Sequence, residues 1–151
     1  SILELGCSGG HQLLAMQGNA GIDLNLQIIR DNKKAHPDVL WICADVTQPG
    51  WDIMLPQFDC VTLPELVEHL EWFQVTPLIR KAKQLAKRRI LITTPDGRDY
   101  KANARNACCF KHRFIVTEPK LTEIFQICRE DGWWLDWKSD GVFVMIRCDK
   151  Q

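Results

Sequence analysis

Two carboxylates and an imidazole stand close together in the sequence, as Glu65, Glu68 and His69. Their i, i+3 and i+4 spacing would place all three on one face of a helix. Such a face can bind a divalent metal, and His112 in a later loop could supply a fourth ligand. Without a metal, His69 could serve as a general base or bond to a neighbouring carboxylate. A metal-bound, a metal-free and a purely structural role all stay open for these residues.

A glycine-rich turn, GCSGG, occupies residues 6–10. It follows a strand-like stretch at 2–5 and precedes a helix-like stretch at 11–17. Its small residues let the backbone approach a ligand closely, and the first turn of the helix offers free N–H groups. A dinucleotide-binding fingerprint would need glycines at positions 6, 8 and 11, and Ser8 and His11 occupy two of these positions. A nucleotide-dependent oxidoreductase is therefore disfavoured.

Strand and helix patterns alternate along the chain and determine where these residues lie. Further strands are predicted at 21–23, 38–43, 58–63 and 89–93. Helices are predicted at 26–34 (with Asn25 as the cap), 65–72, 75–87 and 119–130. Two last strands, at 133–137 and 142–148, are joined by a turn that contains Asp-Gly. The pattern predicts an α/β fold, with helices on both faces of a mostly parallel sheet and a C-terminal antiparallel hairpin. Ligands of such sheets bind at the carboxyl ends of the strands.

Composition restricts the class of protein. The 151 residues suit one domain, and 46% hydrophobic with 25% charged residues is typical of a globular protein. Lys+Arg and Asp+Glu both number 19, which argues against a nucleic-acid binder held by bulk charge. The basic run at 81–89 is expected to be a solvated helix face. The seven cysteines form no C-x-x-C pair and no long apolar run predicts a membrane span, so we expect a cytoplasmic protein with reduced thiols.

The segment from Glu4 to Gly10 resembles the first motif of the class I S-adenosylmethionine (SAM)-dependent methyltransferases, E-x-G-x-G-x-G, with Ser8 in place of one glycine. Later landmarks of that class follow in order, at Asp23, at Asp45 and at residues 58–65. The resemblance implies a Rossmann-like seven-stranded sheet and a single methyltransferase domain over residues 1–151. The helix that normally precedes the first strand is missing, so we expect the chain to be a fragment of a larger protein.

The resemblance also implies roles for individual residues. Asp23 would accept hydrogen bonds from the ribose hydroxyls of SAM, Asp45 would accept one from the adenine amino group, and Val46 would pack on the adenine ring. Leu63, Pro64 and Glu65 would lie nearest the methyl group, with Glu65 and His69 as the catalytic residues. The cofactor-binding residues expected in full are Glu4, Gly6, Cys7, Ser8, Gly10, Asp23, Leu24, Asp45, Val46, Leu63 and Pro64.

The residues expected at the acceptor side of the site resemble those of two groups of methyltransferases. The E-x-x-E-H string with a later histidine is similar to small-RNA 3′-terminal 2′-O-methyltransferases, which implies Mg or Mn held by Glu65, Glu68, His69 and His112. The signature that follows the last histidine in that family is absent at residues 113–118. The same string is similar to many small-molecule and glycan O-methyltransferases, which need no metal.

We therefore expect an oxygen acceptor on a small molecule or sugar. Metal-assisted methylation of an RNA 3′ end, or a catalytically inactive interaction module, are the alternatives. The basic segment 98–113, which also contains aromatic residues, would hold an anionic or nucleic-acid acceptor or be a solvated loop.

Overall fold

The computed structural model describes residues 1–95, 117–140 and 143–151 of the chain. The strands are β1 (Ile2–Leu5), β2 (Ala20–Asp23), β3 (Leu40–Cys43), β4 (Phe58–Pro64), β5 (Ala86–Pro95), β6 (Trp134–Ser139) and β7 (Phe143–Asp149). The helices are α1 (His11–Ala15), α2 (Leu26–Ala35), α3 (Trp72–Leu85) and α4 (Glu118–Arg129), with short 3-10 turns at Val67–His69 and Glu130–Gly132. None of the helices in these described ranges is long and apolar enough to cross a bilayer.

The seven strands form one sheet in the order β3-β2-β1-β4-β5-β7-β6. Strands β1 to β5 are parallel, whereas β7 runs antiparallel to both of its neighbours, β5 and β6. The sequence-based prediction of a mostly parallel sheet that ends in an antiparallel hairpin is confirmed.

Helices pack on both faces of the sheet. Successive residues of a strand point to opposite sides, so apolar residues at neighbouring positions give the sheet two apolar faces to cover. On β1, Leu3 belongs to the larger buried core, which includes Ile79 of α3 and Ile124 of α4. The preceding residue, Ile2, packs against a smaller cluster that includes Leu13 of α1. The predicted layering of helix, sheet and helix is therefore confirmed as well.

The region after β4 differs from the prediction. A helix was expected at 65–72, but β4 continues to Pro64, a single 3-10 turn spans Val67–His69, and Leu70 is extended. Helix α3 then begins at Trp72, where a capping box between Glu71 and Gln74 satisfies free backbone groups. Because α3 begins three residues earlier than predicted, Pro77 lies inside the helix instead of in its first turn.

The glycine-rich turn rests on an aromatic side chain of β3. The ring of Trp41 lies beneath the turn, and its Nε1 donates to the His36 carbonyl at 2.9 Å. Gly10 has a left-handed φ of 75°, and a Cβ atom there would lie only 2.5 Å from the Trp41 ring. A Cβ atom at Gly21 of β2 would lie 2.7 Å from the same ring. Both positions therefore need glycine so that Trp41 can support the turn.

Lys83 of α3 is buried, although the basic run 81–89 was expected to be a solvated face; the prediction is wrong for this residue. Its Nζ donates to the carbonyls of Ile127, at 3.0 Å, and Glu130, at 2.7 Å. The ammonium therefore adds a charged donor to carbonyls at the C-terminal end of α4. This contact fastens α3 to α4.

Candidate cofactor and acceptor cleft

A cleft of about 1220 Å³ opens at the carboxyl ends of β1, β2 and β4. This is the position at which ligands bind in open α/β sheets. The predicted site residues that line it are Glu4, Gly6, Cys7, Ser8, Asp23, Leu24, Pro64, Glu65 and His69. Residues from three separate segments of the sequence, 4–12, 23–28 and 64–71, therefore form one continuous surface.

Asp23, at the end of β2, holds the glycine-rich turn in place. One carboxylate oxygen accepts from the backbone N–H of Ser8 at 2.8 Å, and the other accepts from the N–H of Asn25 at 2.8 Å. From the opposite side, the Asn32 side chain of α2 donates to the Ser8 carbonyl at 2.7 Å. Ser8 itself has a φ of 43°, so these bonds hold a conformation that a serine rarely adopts. A negative charge is thus fixed at the floor of the cleft.

Glu4 contributes a second carboxyl group to the cleft. Its side chain is only 1% exposed, and its Oε2 has no hydrogen-bond partner among the described residues. Burial raises the pKa of Glu4 to about 7. Since buried polar groups are nearly always paired, this oxygen is available for a donor from outside the described part of the chain.

Two carboxyl groups, those of Glu65 and Glu68, follow β4, and Glu65 lines the cleft. Glu65 directly follows β4 and has a φ of 47°, and its N–H donates to the Thr93 carbonyl of β5 at 2.9 Å. Glu68 is buried, and its Oε2 accepts from the Thr94 hydroxyl at 3.2 Å. Burial, together with the nearby Glu65 charge, raises the pKa of Glu68 to about 8. Burial also raises the pKa of Glu65.

The predicted helical face of Glu65, Glu68 and His69 does not exist, because Glu65 precedes the 3-10 turn and has a left-handed backbone. Glu65 and His69 line the cleft, whereas Glu68 points into the interior toward Thr94. No group of three metal-ligating side chains is present in the part of the chain that the structure describes. The fourth predicted ligand, His112, lies outside the described residues.

Four residues expected at the cofactor are not among those that line this cleft. Leu63 is fully buried in the larger core, since alternation along β4 turns it away from Pro64, which lines the cleft. Gly10 faces Trp41. Val46 packs against the larger core, and Asp45 accepts from the N–H and hydroxyl of Thr47, bonds that lower its pKa.

Seven lining residues were not predicted. They are Gly9, His11, Gln12, Asn25, Ile28, Leu66 and Glu71. Most are immediate neighbours of predicted ones, so a reading of whole turns instead of single motif positions would have included them. Glu71 also had a sequence signal of its own, since glutamate and glutamine at 71 and 74 have the spacing of a capping box.

Comparisons with known proteins extend this description. No protein-family model matches the chain, and no curated protein matches it in sequence. Solved structures match 99% of it, among them magnesium protoporphyrin IX methyltransferase from Synechocystis with bound S-adenosylhomocysteine (SAH), at a TM-score of 0.71, 15% identity and 74% of that chain. The methyltransferase domain of bacterial CtHen1 matches at a TM-score of 0.76, 16% identity and 90% of its length. The plantazolicin methyltransferase BamL, in complex with a triazolic analog and SAH, matches at a TM-score of 0.77, 14% identity and 76% of its length.

These similarities extend over the whole sheet and both helical layers, and they include the strand arrangement that forms the cleft. At such identities they establish the fold. The chain has the fold of the class I SAM-dependent methyltransferases, as the motif between Glu4 and Gly10 predicted.

Proposed function

We propose that the chain is an enzyme that binds SAM in the cleft and transfers its methyl group to an acceptor. The observation that carries this proposal is the glycine-rich turn that Asp23 anchors beside the buried carboxyl group of Glu4, whose Oε2 has no partner in the described ranges. A polar turn with two carboxyl groups suits a ligand that presents hydroxyls and an ammonium group. Structures with this fold hold SAH, which supports the same assignment.

The cofactor-binding residues of this proposal are those of the cleft floor. Each carboxylate oxygen of Asp23 has a second lone pair, so the side chain can accept from ribose hydroxyls while it holds Ser8 and Asn25. The exposed side chain of Leu24 offers an apolar surface to a base. Asp45 and Val46 follow β3 at the same edge of the sheet, and we place them at the adenine end of the ligand.

The acceptor side of the proposal rests on Pro64, Glu65 and His69. When bound, SAM supplies an activated methyl group, and the protein has to orient the acceptor and exclude water. Glu65 and His69 would accept the proton of an acceptor hydroxyl, and the raised pKa of Glu65 makes it a better base than an exposed glutamate. We propose an oxygen acceptor on a small molecule or a sugar.

A metal-assisted reaction at an RNA 3′ end is the second candidate, and the similarity to the CtHen1 methyltransferase domain over 90% of its length favours it. In this reading Glu65, Glu68, His69 and His112 would hold Mg or Mn. The described members of this set are not grouped as metal ligands in this structure, so their side chains would have to rearrange. The metal-free reading needs no such rearrangement, so we prefer it.

Calorimetric titration with SAH tests the proposal. We expect micromolar binding by the intact chain, and a loss of at least tenfold in affinity in Asp23→Ala, because hydrogen bonds to a charged group contribute roughly 1.5–3 kcal/mol each. Asp31→Ala is the matched control, since Asp31 is an exposed residue of α2 that accepts from the Gln27 side chain on the same helix. A folded protein that does not bind SAH would contradict the proposal.

The two acceptor readings are separated by activity. Methyl transfer from radiolabelled SAM to a panel of hydroxyl-bearing small molecules and sugars, unaffected by EDTA, is expected for the metal-free reaction. Transfer confined to RNA and dependent on added Mn, with loss in His112→Ala, would favour the metal-assisted alternative.

A further inference from the structure

Strand β6 forms one edge of the sheet, because among the described strands it pairs only with β7. This pairing is continuous from Trp134 to Ser139, so no bulge in this range turns the edge away from solvent. The strand contains neither proline nor glycine. Two large apolar side chains lie along it, since Trp134 is 47% exposed and Trp137 is 42% exposed. Most of the devices that keep an edge strand from pairing with another chain are therefore absent from β6.

The backbone of β6 shows which of its residues face the open side of the sheet. The Trp137 N–H donates to the carboxylate of its own neighbour Asp136 at 2.9 Å, at an exposed position, and therefore points away from β7. Backbone groups alternate in direction along a strand, so Leu135 and Ser139 face the same side as Trp137. The backbones of Asp136 and Lys138 face β7. A strand added to this edge would form its backbone hydrogen bonds with residues 135, 137 and 139.

Charge selects one register for a second copy of β6. When an antiparallel pair is centred on Trp137, Asp136 of each copy lies opposite Lys138 of the other, on the same face of the sheet. These are non-hydrogen-bonded pairs, in which opposite side chains approach most closely, so the opposite charges stabilise the pair. A register centred on Asp136 or on Lys138 would place like charges opposite each other. The strand is thus complementary in charge to a second copy of itself, in one register.

We propose that two copies of the chain associate through β6, in antiparallel register about Trp137, so that their sheets join into one continuous sheet. In this dimer the Asp136 carboxylate exchanges its bond to the Trp137 N–H for the Lys138 ammonium of the other copy. The Trp137 N–H then donates to the Trp137 carbonyl of the other copy. The Trp137 ring, whose centroid lies 5.5 Å from that of Phe125 of α4, meets its counterpart across the two-fold axis, which removes apolar surface from water.

Sedimentation velocity of the unaltered chain, from low to high micromolar concentration, tests the proposal, and we expect the fraction of dimer to rise with concentration. Lys138→Asp places acids opposite acids, and Asp136→Lys places bases opposite bases. Each variant alone should therefore associate about tenfold more weakly or worse. A mixture of the two variants should associate again, because their edges are complementary in charge. Lys34→Asp, at an exposed position of α2 in the other half of the sheet, is the control and should associate like the unaltered chain.

Amide hydrogen exchange locates the interface. The N–H groups of Leu135, Trp137 and Ser139 should exchange more slowly in the unaltered chain as its concentration rises, and should not do so in Lys138→Asp. This measurement needs no substitution, so it still decides if a variant does not fold. An unaltered chain that stays monomeric over the whole range would overturn the dimer. Dimers that persist in each variant alone, or a mixture of folded variants that does not associate, would overturn the proposed register and with it the proposal.

Discussion

The Cβ position of Gly10 lies 2.5 Å from Cη2 of Trp41, a distance that no real side chain could occupy. This contact joins the glycine-rich turn of the cleft to β3, the strand at the edge of the sheet. The turn is thereby held from below by an aromatic ring and from its sides by Asp23 and Asn32. The shape of the cleft floor therefore depends on packing as much as on hydrogen bonds.

Gly10→Ala tests this packing. Gly132 is its matched control, because its φ is also 75° but a Cβ atom there would meet nothing within 4 Å. We expect Gly132→Ala to cost roughly 1–2 kcal/mol through the left-handed backbone alone. Gly10→Ala should cost roughly 1–3 kcal/mol more through overpacking, and should weaken SAH binding. Urea denaturation measures both, and equal losses would show that Trp41 does not constrain the turn.

Asn32→Ala should loosen the same turn from the α2 side. The buried amide donates to the Ser8 carbonyl, which would lose its partner, at a cost of roughly 1–3 kcal/mol in the free energy of unfolding. We expect SAH affinity to fall several-fold in parallel. Lys33→Ala, at the neighbouring exposed position, should change stability by less than about 0.5 kcal/mol. Unaltered SAH affinity in Asn32→Ala would indicate that Asp23 alone holds the turn.

Lys83→Met should destabilise the fold, because the carbonyls of Ile127 and Glu130 would lose their charged donor. We expect a loss of roughly 1.5–3 kcal/mol, because a charged donor would be lost and the Ile127 carbonyl would keep only the backbone N–H of Glu130. Lys81→Met is the control on the same helix. Its ion pair with Asp52 is partly exposed and should contribute less than about 1 kcal/mol. Thermal unfolding of both variants measures the difference, and similar melting temperatures would contradict the structural role of Lys83.

The stability of the protein should fall as pH rises, in part through Glu68. Its pKa is raised in the folded state from 4.5 to about 8, so folding favours the neutral carboxyl group. This contribution is fully present below about pH 4.5 and is lost as pH rises through 8. Glu68→Gln should flatten the dependence between pH 5 and 8.5, at roughly 1.4 kcal/mol for each unit of pKa shift removed.

Glu118→Gln, at an exposed position in the first turn of α4, is the control for this titration and should leave the slope unchanged. Glu4 shifts in the same direction, to a pKa of about 7, so part of the slope should persist in Glu68→Gln. Denaturant midpoints across the pH range provide the measurement. A slope identical to that of the unaltered chain would mean that Glu68 is ionised in the folded protein.

The parts of the fold that could be predicted are those that local patterns determine. Apolar runs located every strand, and Asn25 was identified as the cap of α2 that the structure shows, accepting from two backbone N–H groups. The region after β4 could not be predicted in this way, because its residues have helical spacing although the backbone of Glu65 is bonded to β5. The Glu65 N–H bonds to Thr93, which lies 28 residues further on, and that partner is invisible in a local window.

Burial of charged residues was beyond prediction for the same reason. Lys83 has the sequence context of a solvated helix face, and its acceptors come from the end of α4, 44 and 47 residues away. The role of Trp41 beneath Gly10 likewise depends on a tertiary contact. The spacing of the motifs predicted where the cleft lies. Which motif residues face it depends on the alternation of side chains along each strand: Pro64 lines the cleft, whereas Leu63 is buried in the core.

The position of β7 between β5 and β6 has a consequence for the order of events during synthesis. The last strand in the sequence supplies the second partner of β5 and the partner of β6, so these pairings must wait for residues 143–149. Until then β5 presents an open edge, which is a template for aggregation. Non-local pairing of this kind also slows folding. A nascent chain still attached to the ribosome should therefore depend on chaperones until β7 emerges.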